Sequence, residues 1–168
     1  RGDEPLIEVP TPIPSEIDTK IGNFIANEIP DGATLQIGVG GIPNAVINAL
    51  GSHQHLGLHT EAITDGVLPL IQKGIIDNSL KKIYPGKSVG SLVLGSKHLY
   101  DYMDKNPEFI IRDVAYTNDP QIIRQNPKAM AINSAIEIDL TGQICADSVG
   151  ETIISGVGGQ HDFMYGAA

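Results

Sequence analysis

The sequence predicts an α/β domain in which a mostly parallel sheet is covered by helices on both faces. Short apolar strand-like runs alternate with amphipathic helical ones along most of the chain, the pattern of a parallel sheet with crossover helices. The run Thr34–Ile37 feeds straight into a glycine-rich loop and a helix at Pro43, a strand–loop–helix unit. A length of 168 residues, 41% hydrophobic and 18% charged, suffices for one such core and leaves little for a second.

Before the first element, Pro5, Pro10, Pro12 and Pro14 favour an extended, polyproline-like connector over residues 1–14. The Arg1-Gly2-Asp3 triplet at its start is read as chance, three common residues at one end. Ser15 is the expected N-cap of a helix whose apolar face is Ile17, Ile21, Phe24, Ile25 and Ile29, stopped by Pro30-Asp31-Gly32. Thr34–Ile37 is a strand, and Pro43 suits the first turn of a helix running to Leu50. Leu56–Thr60 reads as the next strand, and Asp65 starts a helix that buries Val67, Leu68, Leu70 and Ile71.

Ser88–Leu94 is strand-like, Ser96–Lys105 is helical with Ser96 as cap, and Phe109–Tyr116 is a strand followed by a short helix ending near Asn126-Pro127. Ala129–Leu140 and Gln143–Val149 form a hairpin turning at Thr141-Gly142. Both ends of the chain read as cuts in a longer protein, since it starts at Arg1 without a methionine and stops at Ala168 just after a glycine loop.

Composition excludes some functions. A net charge of −9 offers no footprint for nucleic acid, and no apolar run approaches membrane-spanning length. No signal peptide is read at the acidic, proline-rich start. The single cysteine, Cys145, rules out an internal disulfide and points to a reducing, cytoplasmic compartment.

The main lead to function is a pair of glycine loops of one form, Gly38-Val39-Gly40-Gly41 and Gly156-Val157-Gly158-Gly159, on either side of Glu61 in the chain. Such loops bring backbone N–H groups close to a ligand, because no β-carbon holds the chain away. Glu61 is expected beyond the carboxyl end of a buried strand, where ligands of parallel sheets gather. A carboxylate between two such loops suggests a nucleophile and an oxyanion hole.

Each part also has an ordinary reading. A dinucleotide fingerprint would need a third glycine where Pro43 stands, although Glu61 lies at a suggestive distance after Gly41. No Gly-Lys-Ser or Gly-Lys-Thr closes the loop as a P-loop requires, and a strand-to-helix turn that binds nothing fits one loop alone. Glu61 by itself fits a solvated charge or a capping group, and Glu137 with Asp139 fits acids sharing one face of the hairpin. His53, His55 and His59 match no established metal-ligand spacing, so no metal is expected, and Cys145 reads as a small buried residue.

Four runs carry a resemblance. Leu35-Gln36-Ile37-Gly38-Val39-Gly40-Gly41-Ile42-Pro43-Asn44-Ala45-Val46, His59-Thr60-Glu61 with Asp65-Gly66, Asn133 through Gln143, and Ser155-Gly156-Val157-Gly158-Gly159-Gln160 with Asp162-Phe163 resemble the acetyl-CoA hydrolase/transferase family, closest to the 4-hydroxybutyrate and butyrate types. The runs occur in family order over nearly the whole chain. The resemblance implies a three-layer CoA-transferase-like domain, with residues 1–14 an interdomain linker and 15–168 the first part of the C-terminal domain of a longer two-domain enzyme.

It also implies a nucleophilic Glu61 and ping-pong transfer of CoA from an acyl-CoA to a small carboxylic acid, through an acyl-glutamyl anhydride and a glutamyl-CoA thioester. The backbone N–H groups of Val39 and Gly158 are then candidates for the oxyanion hole. Gly38, Gly40, Gly41, Gly156 and Gly159 would allow close approach of CoA, with Asn133 and Gln160 orienting substrate and His59 lining the acyl pocket. CoA enters as substrate, and no permanently bound cofactor is implied. The partners implied are acyl-CoA, small carboxylates and the N-terminal domain of the same enzyme, with a homo-oligomer left open. A hydrolase on the same scaffold and a non-catalytic nucleotide- or CoA-binding module are the alternatives, and the piece alone is expected not to turn over.

Overall fold

Ser15 opens the first helix, α1 (Glu16–Glu28), through a capping box: its Oγ accepts from the Asp18 N–H at 3.1 Å, and the Asp18 carboxylate accepts from the Ser15 N–H at 2.8 Å. In this computed structural model, which describes residues 4–168, the apolar face read from the sequence is only partly the buried one. Ile29 is buried, but Ile17 and Phe24 are 69% and 74% exposed. The face turned inward carries Gly22 and Ala26. A β-carbon on Gly22 would stand 2.6 Å from the Ala45 carbonyl carbon, so α1 reaches its neighbouring helix by backbone approach, with Ile25 partly buried against the core and Ile17 and Phe24 left outside. The Arg1-Gly2-Asp3 triplet lies outside the described residues.

Strand β1 (Thr34–Ile37) is buried at every position and runs through the first glycine loop into α2 (Gly41–Ala49), with Pro43 in its first turn. Next come β2 (Gly57–Leu58), β3 (Ala62–Thr64) and α3 (Leu68–Gln72), which follows a 3-10 turn opened by Asp65. The expected strand Ser88–Leu94 divides into β4 (Ser88–Gly90) and β5 (Leu92–Leu94). The break has a cause: the Ser91 and Leu92 N–H groups both donate to the Glu61 carbonyl, at 2.9 and 3.0 Å, which turns the chain from one partner strand to another.

Helix α4 (Lys97–Met103) begins at Ser96, whose Oγ accepts from the Leu99 N–H, as expected. The expected strand Phe109–Tyr116 is shorter, since β6 (Phe109–Ile111) gives way to α5 (Val114–Thr117), capped by the Asp113 side chain. Helix α6 (Pro120–Ile123) and β7 (Ala129–Ile132) follow. The expected strand Ala129–Leu140 divides, since Ala129–Ile132 joins the sheet as β7 and only β8 (Glu137–Ile138) pairs with β9 (Ile144–Cys145) in the hairpin at Thr141-Gly142. Strands β10 (Ser148–Val149) and β11 (Thr152–Ile153) form a second hairpin, and α7 (Gln160–Ala167) closes the described chain. Asp139 is not a strand partner of Glu137. Its Oδ1 accepts from the Thr141 N–H, the Thr141 hydroxyl and the Gln143 N–H, which builds the turn.

The sheet is mostly parallel, with order β2-β1-β7 at its centre and parallel pairs β3-β5 and β4-β6 beside it. A parallel bridge between His59 and Val89 joins the β2 side to β4. Leu35 and Ile37 pack into the core with Val46, Ile47 and Leu50 of α2 and the turn after it, while Thr34 and Gln36 meet Ile123, Phe163 and Ala167 from α6 and α7. Helices thus cover both faces of β1. Residues 4–14 form no regular element, yet they are laid on this domain. Val9 N–H donates to the Gly95 carbonyl, Tyr100 Oη to the Ile7 carbonyl and Asn44 Nδ2 to the Pro12 carbonyl. Among the described residues no helix is long and apolar enough to cross a membrane.

Candidate active site

Parallel register sets Glu61 beside the first glycine loop. Thr34 pairs with Gly57 and Leu35 with Leu58, and Thr60 continues the match to Ile37 with its side chain. Thr60 Oγ1 accepts from the Ile37 N–H at 3.2 Å and donates to the Ile37 carbonyl at 3.1 Å, buried on all sides. The residue before Glu61 is therefore locked to the residue before Gly38. On the other flank Gly38 N–H donates to the Ile132 carbonyl at 2.8 Å, so the ends of β2, β1 and β7 come together at the carboxyl edge of the sheet.

The Glu61 side chain, half-buried, meets two groups distant in sequence. Asn118 Nδ2 donates to Glu61 Oε2 at 3.3 Å. Gly159, the N-cap of α7, packs against the same oxygen so closely that a β-carbon there would overlap it. The carboxylate thus lies at the positive end of a helix with an amide donor beside it, an arrangement suited to negative charge that moves during a reaction. Asn118 escaped the sequence reading. It stands at the end of a four-residue helix inside a run read as strand and short helix, and no local pattern marks it.

The other expected residues are distributed unevenly. Gly40 has φ +138° and Gly158 φ +57°, conformations that favour glycine. Gly41 needs room for another reason: a β-carbon would stand 2.7 Å from Asp18 Oδ2. Val39 is 54% exposed at the loop tip, and among the described residues neither its N–H nor that of Gly158 has a hydrogen-bond acceptor. Among the described residues neither Gly156 nor Gln160 hydrogen-bonds to Glu61. They line an open groove of about 420 Å³ with Ile144 of β9, Val157 and Met164. Asn133 is bound to Gln36 by reciprocal amide bonds, Nε2 of Gln36 to Oδ1 at 3.1 Å and Nδ2 of Asn133 to Oε1 at 2.8 Å, which clasps β7 to β1 beneath Gly38.

His59 departs from the expectation that it lines an acyl pocket. Its side chain is 2% exposed, edge-on to Phe163 at 6.2 Å between ring centroids, and its Nε2 donates to the Thr117 carbonyl at 2.8 Å. Burial drives its pKa down to about 4, so the ring is neutral with its proton on Nε2. The three neighbouring histidines diverge: His53 faces the Ala26 and Ile29 carbonyls, and His55 pairs with Asp77. Nearby, Lys81 is 4% exposed with Nζ donating to the Leu58 and Lys87 carbonyls, and burial pulls its pKa down to about 7.

Comparison with known proteins gives the family and the fold. Residues 95–168 match the acetyl-CoA hydrolase/transferase C-terminal domain. Over 168 residues, 99% of the chain, it is 52% identical to the succinyl-CoA:acetate/propanoyl-CoA:succinate CoA transferase of Fasciola hepatica, and over 97% of the chain it is 44% identical to the 4-hydroxybutyrate coenzyme A transferase of Clostridium kluyveri. The crystal structure of 4-hydroxybutyrate CoA-transferase from Porphyromonas gingivalis superposes with a TM-score of 0.86 at 44% identity, over 98% of this chain. The chain spans 35% and 38% of the length of the two relatives and 38% of that structure. With the C-terminal domain of the family matched over residues 95–168 and relatives 44% and 52% identical over nearly the whole chain, the chain belongs to the acetyl-CoA hydrolase/transferase family.

Proposed function

We propose that this chain is the first part of the C-terminal domain of a cytoplasmic CoA-transferase, with Glu61 as its nucleophile. The observation that carries the reading is the Glu61 carboxylate set between the Asn118 amide and the Gly159 N-cap of α7. Similarity to relatives named as CoA transferases supports the reaction class. Small acids such as acetate, butyrate or 4-hydroxybutyrate are the acceptors in this reading.

A carboxylate is a weak nucleophile in water, so orientation and stabilisation of the developing oxyanion have to come from the protein. Glu61 attacks the thioester carbonyl, the C–S bond breaks, and an acyl-glutamyl anhydride forms as CoA leaves as thiolate. The thiolate then attacks the glutamyl carbonyl. The first acid departs as carboxylate, and a glutamyl-CoA thioester remains. A second carboxylate reverses both steps and leaves as the new acyl-CoA, with Glu61 regenerated. The N–H groups of Val39 and Gly158, without acceptors of their own, are available as oxyanion donors, each worth on the order of 3 kcal/mol. Gly38, Gly40, Gly41 and Gly159 keep the approach clear, and the groove at Gly156 and Gln160 extends the surface open to CoA.

Peptide mass spectrometry of the full-length polypeptide after incubation with butyryl-CoA tests this. A CoA-sized adduct on the Glu61 peptide, converted by borohydride to the mass of a reduced side chain and absent in Glu61→Gln, is expected. CoA release without an adduct, stimulated by no added acid, would instead assign a hydrolase.

A further inference from the structure

His59-Thr60-Glu61 and Thr117-Asn118 meet at two points. Asn118 Nδ2 reaches Glu61 Oε2, and His59 Nε2 reaches the Thr117 carbonyl one residue earlier. The first of these bonds is 3.3 Å, at the long end of the useful range, so a shift of a few tenths of an ångström in α5 abolishes it. The second is 2.8 Å, buried and shielded by Phe163. Helix α5 is four residues long with Asp113, Val114 and Ala115 facing solvent. Tyr116 packs edge-on against Tyr84 and under Arg112 on its flank, and at the buried Thr117 the His59 donor is the side-chain bond that reaches it from the Glu61 segment. The Thr60 hydroxyl is held on Ile37, with a longer approach of 3.3 Å to the Ala62 carbonyl, and has no bond to Thr117 or Asn118 among the described residues.

We propose that His59 is a positioning residue: by donating to the Thr117 carbonyl, its ring sets the reach of the Asn118 amide to the Glu61 carboxylate. The proposal rests on the reading of Glu61 as nucleophile. A histidine that merely filled the core would act independently of Asn118, whereas one that works through it loses its effect when Asn118 is gone.

The test is a cycle of variants in the full-length polypeptide, read as the rate of label exchange between butyryl-CoA and acetate. His59→Phe keeps a ring against Phe163 and removes the donor. It is expected to lower kcat by roughly tenfold or more with KM held within about threefold. His59→Gln, which keeps an N–H near the Nε2 position, is expected to restore kcat to within about threefold of the parent. In an Asn118→Ala background, His59→Phe is expected to change kcat by less than about twofold. Multiplying losses in the double variant, or an undiminished kcat in His59→Phe, would overturn the proposal while leaving Glu61 untouched. An active Glu61→Gln enzyme would remove the underlying reading as well. Should His59→Phe not fold, imidazole ¹⁵N shifts of the parent decide: a neutral ring protonated at Nε2 is expected, and an Nδ1–H tautomer or a cationic ring at neutral pH overturns the inference.

Discussion

Gly159 abuts the Glu61 carboxylate so closely that any β-carbon at that position would overlap Oε2. The backbone there has φ −88°, which an alanine adopts without strain, so the glycine is required for space and not for conformation. Gly159→Ala is therefore expected to fold normally by circular dichroism and to lose roughly a hundredfold in kcat, the scale of an ångström-sized misplacement of a reacting group. Gly51→Ala, in the 3-10 turn after α2 where a β-carbon meets nothing within 4 Å, is the control and is expected to leave adduct formation at Glu61 unchanged.

Gly22→Ala sets two effects against each other. Within a helix the change normally stabilises by about 1 kcal/mol. Here the new methyl group meets the Ala45 carbonyl carbon at 2.6 Å and the Val46 nitrogen at 2.8 Å, and backbone does not yield as a side-chain tip does. Overpacking costs about 1–3 kcal/mol and outweighs the propensity gain. A lowered urea midpoint with unchanged m-value is expected.

Stability is expected to rise with pH in two windows. The folded protein holds His59 neutral down to about pH 4, whereas the unfolded chain takes up the proton near 6.5, so stability falls as pH drops from 6.5 toward 4, by about 3 kcal/mol in full. Lys81 titrates near 7 when folded and near 10.5 when unfolded, so raising the pH above 7 stabilises the fold progressively up to 10.5. Urea midpoints across this range check both arms. Lys81→Met is expected to flatten the alkaline arm and to reduce the acid arm slightly, since the Lys81 charge adds to the burial that lowers the His59 pKa.

Asp65 ties three segments together. It accepts from the Ser96 N–H at 2.8 Å and the Ser96 hydroxyl at 2.6 Å, and from the Thr11 hydroxyl at 3.3 Å. Asp65→Ala leaves the Ser96 donors unpaired at the start of α4 and loosens the proline-rich segment, with an expected loss of about 1–3 kcal/mol. Faster proteolysis within residues 4–14 than in the parent is the accompanying readout.

Local signals in the sequence were read well where one residue type does one job. Ser15 and Ser96 cap their helices, Pro43 sits in a first turn and Gly142 turns the hairpin at φ +88°. Strand ends are not legible locally where a distant partner decides them, as at Ser91, where the Glu61 carbonyl interrupts the expected strand. The exposed Ile17 and Phe24 show the same limit: helical spacing identifies an apolar stripe but not which stripe a neighbour covers, and the small face of Gly22 and Ala26 packs closer.

For the site, the chain by itself determined that a carboxylate follows a buried strand near a strand–glycine loop–helix unit, because the period of the pattern and the need for glycine at Gly40 and Gly158 are local properties of the backbone. Only the tertiary structure decided which groups touch that carboxylate. Asn118 lies 57 residues beyond Glu61 and Gly159 much further, and His59, two residues before Glu61, turns beneath the site to hold Thr117. Parallel strands and their crossovers bring such residues together through register and helix packing, which no short run of sequence encodes.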